Sequence, residues 1–305
     1  MGSSRWSPDD WDSYAKVNTK GKDRTTVFAS RSLKADLNPK NITVRESVDS
    51  DANPHSTPII VALDVTGSMG RIPHELIQGN LGTLMDEVLK RKPVSDPHLM
   101  FMGVGDVSYD SAPLQVTQFE ADIRIAEQLR EIYLEGGGGG NSHESYNLPW
   151  YFAAKKTSID SVAKRNKKGY LFTIGDEEVP ATLTVSQQMT VFGESAERDL
   201  SNQELLEMAE RNYHVFHIVV EQGSHFRSHA DRVMAGWNDL LGQRVIRLSD
   251  YTRLAEVIVS TIQATEGADH DSVVGSWSGD TSLVVAHAIG SLATSNASSG
   301  GLTRL

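Results

Sequence analysis

The sequence predicts an α/β fold: a doubly wound, mainly parallel central sheet with helices on both faces, an N-terminal arm before it and a C-terminal tail behind. Three observations predict it. Short continuous apolar runs alternate with stretches of helical periodicity between residues 58 and 265. Several of those runs end on an acid, as strands do when they feed ligand-binding loops. The flanking segments are instead polar and rich in turn formers, Ser, Gly and Ala. The chain therefore divides into an arm at 1–55, an α/β domain at 56–265 and a tail at 266–305 that is expected to be partly disordered or docked.

In the arm, Ser7-Pro8-Asp9-Asp10 reads as an N-cap, a proline at the first helical position and acids in the first turn. Trp6 and Trp11 stand where a hydrophobic staple would place them, and they are expected to pack on the protein's own body. Ile59-Ile60-Val61-Ala62-Leu63, ending in Asp64, is a strand buried on both faces. Pro73 opens a helix whose Ile77, Leu81, Leu84 and Val88 share a face, and Lys90-Arg91-Lys92 before Pro93 ends it. Residues 99–104 form a second strand ending at Gly105-Asp106, and 116–119 a short edge strand. Ile125, Leu129, Ile132 and Tyr133 mark a second helix.

Five glycines at 136–140 break the pattern before a helix at 148–156. Tyr170-Leu171-Phe172-Thr173-Ile174 is the next strand and leads to Asp176. Ser201 and Glu204 have capping-box spacing ahead of a helix through Leu205 and Met208. Residues 214–220 and 244–248 are the last strands, and Tyr251, Leu254, Ile258 and Ile262 line a closing helix. In the tail only 283–292 is apolar, a candidate docking helix.

Composition excludes several classes of function. Forty acidic against 29 basic residues, a net charge of −11, argue against a nucleic-acid surface, which needs clustered Lys and Arg. The same balance suits the attraction of cations or basic surfaces. With no cysteine, the chain has no disulfide, thiolate metal site or cysteine nucleophile. No apolar run approaches the roughly 20 residues of a membrane helix, and the N-terminus carries no apolar signal segment. The expectation is a cytoplasmic protein without membrane contact.

The chemistry gathers at strand ends. In Asp64-Val65-Thr66-Gly67-Ser68-Met69-Gly70, Asp, Thr and Ser at alternating positions can turn three oxygens toward one point, and such oxygens suit a hard cation. This stretch resembles the Asp-x-Ser-x-Ser signature of the metal-ion-dependent adhesion site (MIDAS) in von Willebrand factor A (VWA) domains, with Thr66 in the first serine's place. The resemblance spans residues 58–265. It implies a Rossmann-like VWA fold and a bound divalent ion, chiefly magnesium, with manganese or calcium as alternatives. It also implies that Ser68 and Thr66 coordinate the ion directly, and that Asp64 acts through water. Asp176, after the apolar strand, matches the family's aspartate, although Gly175 precedes it rather than follows it. The family's threonine is absent. Counting back from Leu148 puts Ser142 at its position, while Glu144 could equally reach in and make the site more negative and less open.

Plainer readings compete at each residue. Asp64 could simply cap the following helix, which would leave the hydroxyl pair and Asp176 unexplained. The glycine run lacks the Lys and Ser or Thr of a phosphate loop. Asp106 is either support for the site or a solvated loop acid. His225 and His229, four apart, are read as a surface pair. His214 and His217 face opposite sides of a strand, and Met69 and Met102 are packing residues.

The leading functional expectation is a protein-binding module whose ion accepts an Asp or Glu carboxylate of a partner. The resemblance implies that this partner is an ATPase or another subunit of a larger complex. One alternative is a metal-dependent phosphoester hydrolase with Glu177, Glu178 or Glu144 as base. The other is a scaffold with an empty site.

Overall fold

The structure, a computed structural model, describes residues 4–136 and 141–292, all with side chains except Ile77 and Gln78. Four of the five glycines at 136–140 and the last 13 residues of the tail lie outside the described residues.

Helix α1 (Pro8–Asn18) begins as expected: the Ser7 hydroxyl accepts the Asp10 N–H, and Trp6 and Trp11 are buried with ring centroids 5.5 Å apart. A three-residue strand β1 (Arg45–Ser47) follows, and then β2 (Thr57–Asp64), buried along its whole length. The helix after β2 is not continuous. One α-turn (Ile72–Glu75) passes through a π-turn (Leu76–Asn80) into α2 (Leu81–Arg91), which ends on Lys92 in the left-handed region. Trp11 docks on α2 at Gly82, where a Cβ would lie 2.1 Å from the indole nitrogen. Only glycine lets this helix take the aromatic of the arm at that distance.

Strands β3 (Pro97–Val104) and β4 (Leu114–Val116) are antiparallel. The edge strand thus lies two residues earlier than the sequence predicts. Thr117 explains the shift: its hydroxyl, not its carbonyl, accepts the Phe101 N–H at 2.9 Å, so the side chain interrupts the ladder. Helix α3 (Arg124–Leu129) stops one turn before the predicted end, with Ile132 buried beyond it. After α4 (Asn147–Lys155), strand β5 (Thr157–Ile159) pairs with β1 in a separate two-stranded parallel ribbon. The larger elements that follow are β6 (Gly169–Gly175), α5 (Val185–Phe192), α6 (Asn202–Ala209), β7 (Tyr213–Val220), α7 (Ser224–Leu241), β8 (Val245–Leu248) and α8 (Leu254–Thr265). The capping box at Ser201 and Glu204 forms in both directions. Two tail helices, α9 (His270–Gly275) and α10 (Asp280–Ile289), close the described chain.

The main sheet has the order β8-β7-β6-β2-β3-β4, parallel except for β4, so it is mainly parallel as predicted. Alternate residues of each strand feed two cores. Ile59, Val61 and Leu63 join Leu84, Val88, Ile258 and Ile262 on one face, while Ile60 and Ala62 join Leu148, Trp150, Leu205 and Trp237 on the other. Helices therefore cover both faces. The arm and tail share the first core through Trp6, Trp11, Val285 and Ile289. From β2 the chain runs outward to β3 and β4, then returns to lay β6 on the opposite side of β2. Strand order reverses between β2 and β6, and their carboxyl ends carry Asp64 and Asp176.

Candidate metal centre

The loop after β2 folds around Asp64. This fully buried carboxylate accepts the Thr66 N–H (2.8 Å) and the Thr66 hydroxyl (2.6 Å) on Oδ1, and the Tyr146 hydroxyl (2.8 Å) on Oδ2. Thr66 Oγ1 and Ser68 Oγ stand 3.4 Å apart, and Ser68 donates to Asp176 Oδ1 at 2.6 Å. Asp176, equally buried, accepts on Oδ2 the N–H groups of His225 (2.8 Å) and Phe226 (3.4 Å), the first turn of α7. Four of the predicted residues, Asp64, Thr66, Ser68 and Asp176, thus form one hydrogen-bonded group. Asp176 caps a helix from outside the helix, a structural duty the sequence does not reveal.

Two glycines make this packing sterically feasible. A Cβ on Gly175 would fall 1.9 Å from the Tyr146 hydroxyl, and one on Gly223 would fall 2.2 Å from the Asp176 carboxylate. The glycine that precedes Asp176 is therefore the space through which Tyr146 reaches Asp64.

The loop before α4 separates Ser142 from Glu144. Ser142 is half-buried, its carbonyl accepts the Glu178 N–H (3.4 Å), and among the described residues its hydroxyl joins none of the site's hydrogen bonds. Glu144 is buried, and among the described residues its Oε2 has no hydrogen-bond partner. Burial first, then Asp64, Glu177, Asp110 and Asp106, push its carboxyl well above the usual range. Burial and Asp176 likewise raise Asp64. Glu177, which sequence reasoning treated only as a possible base, is pushed up to about 8 by burial, then by Asp64 and Asp176. Asp106 is buried rather than solvated, and it accepts the Ser108 N–H (2.8 Å) and the Asn141 amide.

His225 corrects the expectation of a surface pair. It is half-buried with Nδ1 3.9 Å from Glu177 Oε1, and its ring stacks at 4.4 Å on the exposed His229. Burial and His229 lower its pKa, which favours the neutral form. Met69 and Met102 are core residues as expected. His217 is enclosed, 3.4 Å from the Trp237 ring and 2.9 Å from the Thr173 hydroxyl.

Asp64, Asp176, Glu144 and Glu177 are all buried, and among the described residues none forms an ion pair with Lys or Arg. Buried carboxylates without a counter-charge are costly, and a divalent ion would supply the missing charge. The donors are hard oxygens, which suit magnesium, manganese or calcium better than softer metals. Among the described residues, no three His, Asp or Glu side chains are placed to hold an ion by themselves. The hydroxyls of Thr66 and Ser68 are therefore needed to complete a donor set. With them, the residues present fit a divalent ion.

No family model matches the chain, and no curated protein matches it. Solved structures with a similar arrangement include the pilus adhesin SpaC from Lactobacillus rhamnosus GG, at 8% identity and TM-score 0.42 over 72% of this chain. Proximal thread matrix protein 1 from the mussel byssus, in a structure with a zinc-occupied MIDAS motif, shows 11% identity and TM-score 0.41 over 68% of this chain. A von Willebrand factor type A structure from Catenulispora acidiphila shows 12% identity and TM-score 0.36 over 70%. The chain spans 32%, 47% and 43% of those three proteins respectively. Among the described residues, no helix is long and apolar enough to cross a membrane.

Proposed function

We propose that the chain is a cytoplasmic VWA-type module that holds a divalent ion, chiefly magnesium, and uses it to bind the Asp or Glu side chain of a partner protein. Thr66 and Ser68 would hold the ion through their hydroxyls, with Asp64 and Asp176 alongside. The observation that carries the reading is the group of four buried carboxylates at the sheet's reversal point with no Lys or Arg partner among the described residues. The ion's contribution would be a concentrated positive charge to which a carboxylate is drawn. A subunit of a larger complex, such as an ATPase, is the class of partner we propose.

The chain's own groups would have three tasks. Tyr146 and the Thr66 N–H hold Asp64 in one orientation, and the first turn of α7 does the same for Asp176. The buried setting excludes water and strengthens each charge interaction. Calorimetric titration of metal-stripped protein with magnesium and manganese tests the reading. Saturable binding is expected for wild type and loss of binding for Asp64→Ala and Ser68→Ala. Absence of binding at millimolar metal would sink it.

A further inference from the structure

Resting on that proposed ion site, we infer that Glu144 serves as the chain's own stand-in for the partner carboxylate, closing the ion until a partner displaces it. The backbone around Glu144 is held from two sides. Its N–H donates to the Glu178 carbonyl at 3.0 Å, beyond the end of β6. The next residue, Ser145, donates its N–H to the Gly105 carbonyl (3.1 Å) and accepts the Val107 N–H on its hydroxyl (3.0 Å), beyond the end of β3. The Tyr146 hydroxyl then reaches Asp64. Residue 144 is thereby fixed between the loops that follow β3 and β6, and its side chain is directed inward rather than into solvent.

The carboxylate that results is only 2% exposed, and one of its oxygens has no hydrogen-bond partner among the described residues. The charges that act on it most strongly are those of Asp64, Glu177, Asp110 and Asp106, all acids. Among the described residues no hydrogen-bond donor meets that oxygen, and buried polar atoms without partners are rare. A cation held by Thr66 and Ser68 would account for it. The charge balance points the same way. Asp64 and Asp176 already offset a divalent ion, so a carboxylate arriving from outside would face Glu144 and Glu177 uncompensated. It gains a place most readily by exchanging with Glu144, which gives the site a closed and an open state. Ser142, with its hydroxyl outside the network, has no share in this.

The test uses Mn2+ alone as probe, reading its affinity and the water-proton relaxation of the bound ion. Wild type is expected to bind Mn2+ with few exchanging inner-sphere waters, and Ser142→Ala to match it. In Glu144→Ala, affinity should fall by about tenfold or more, the scale of a lost supporting group at a metal site, while relaxivity rises because water fills the vacated position. Added acetate should cancel that rise in Glu144→Ala and leave wild type unchanged. Glu144→Gln, which keeps the side chain's size, should show the same loss of affinity if the alanine variant proves unstable. Unchanged affinity and relaxivity in both Glu144 variants would overturn the inference, as would a Ser142→Ala variant that reproduces their behaviour. Failure of wild type to bind Mn2+, or binding that survives Asp64→Ala, would overturn the underlying site reading as well.

Discussion

The Tyr146 hydroxyl lies where a side chain at position 175 would begin, so the bond to Asp64 depends on a residue that contributes no atoms to the site. In Gly175→Ala the new methyl and the phenol cannot coexist 1.9 Å apart. Either the strand shifts or Tyr146 withdraws and leaves an oxygen of a buried carboxylate unpaired. Overpacking of this kind costs about 1–3 kcal/mol, and urea unfolding should register it together with weakened magnesium binding. Tyr146→Phe separates the two effects, since it keeps the ring and removes only the donor. Its expected cost is also ~1–3 kcal/mol, the usual penalty for a buried group left without its partner. If Gly175→Ala matched wild type in both measurements, the spatial argument would fail.

Among the elements, α7 ties the candidate site to the fold, because its first turn donates to Asp176. A Cβ at Gly223 would intrude on that carboxylate at 2.2 Å. Gly223→Ala should therefore fray the start of α7 and expose the His225 and Phe226 amides, which hydrogen exchange would detect as lost protection at those two positions. Equal protection in the variant would mean that Asp176 is not the group that holds this helix end. Little of this was legible in the sequence. Buried strands such as Ile59-Ile60-Val61-Ala62-Leu63 announce themselves by composition, and Asp64, Thr66, Ser68 and Asp176 follow from their places just beyond such strands. The Ser7 cap and the Ser201 box are local chemistry and were equally readable. The roles of Tyr146, Gly175 and Gly223 were not, because each depends on a contact between segments far apart in the chain. The choice between Ser142 and Glu144 was likewise beyond spacing alone. The backbone bonds that Glu144 and Ser145 make to the loops after β6 and β3 bury the Glu144 side chain, a placement that spacing does not reveal. The edge strand was displaced by a single threonine hydroxyl, and the π-turn at Leu76–Asn80 has no signal in the apolar periodicity.

For the molecule as a whole, the site's charge should set how stability varies with pH, and metal should reverse the trend. Glu177 has an ordinary pKa of 4.5 that is pushed up to about 8 in the fold, and burial raises Asp64 and Glu144 in the same direction. Between those two values the folded chain binds more protons than the unfolded one, so stability falls as pH rises. His98 acts oppositely: burial lowers it from 6.5 to about 4, so its contribution is lost only as pH falls through that range. Above pH 6.5 the slope from His98 vanishes and the raised carboxylates remain. In EDTA the melting temperature is therefore expected to decline from pH 6.5 to 8, and Glu177→Gln should flatten that decline. Saturating magnesium binds only the ionised carboxylates, and a ligand that binds the folded state alone adds stability in proportion to the logarithm of its occupancy ratio. With magnesium the decline should disappear or turn into a rise, because each proton lost now strengthens binding rather than leaving an uncompensated charge. Parallel melting curves at pH 6.5, 7.2 and 8, with EDTA and with magnesium, decide the matter. Coincident profiles would mean that the buried acids neither titrate in this range nor meet the ion, and the four carboxylates would then have to be explained as a purely structural network.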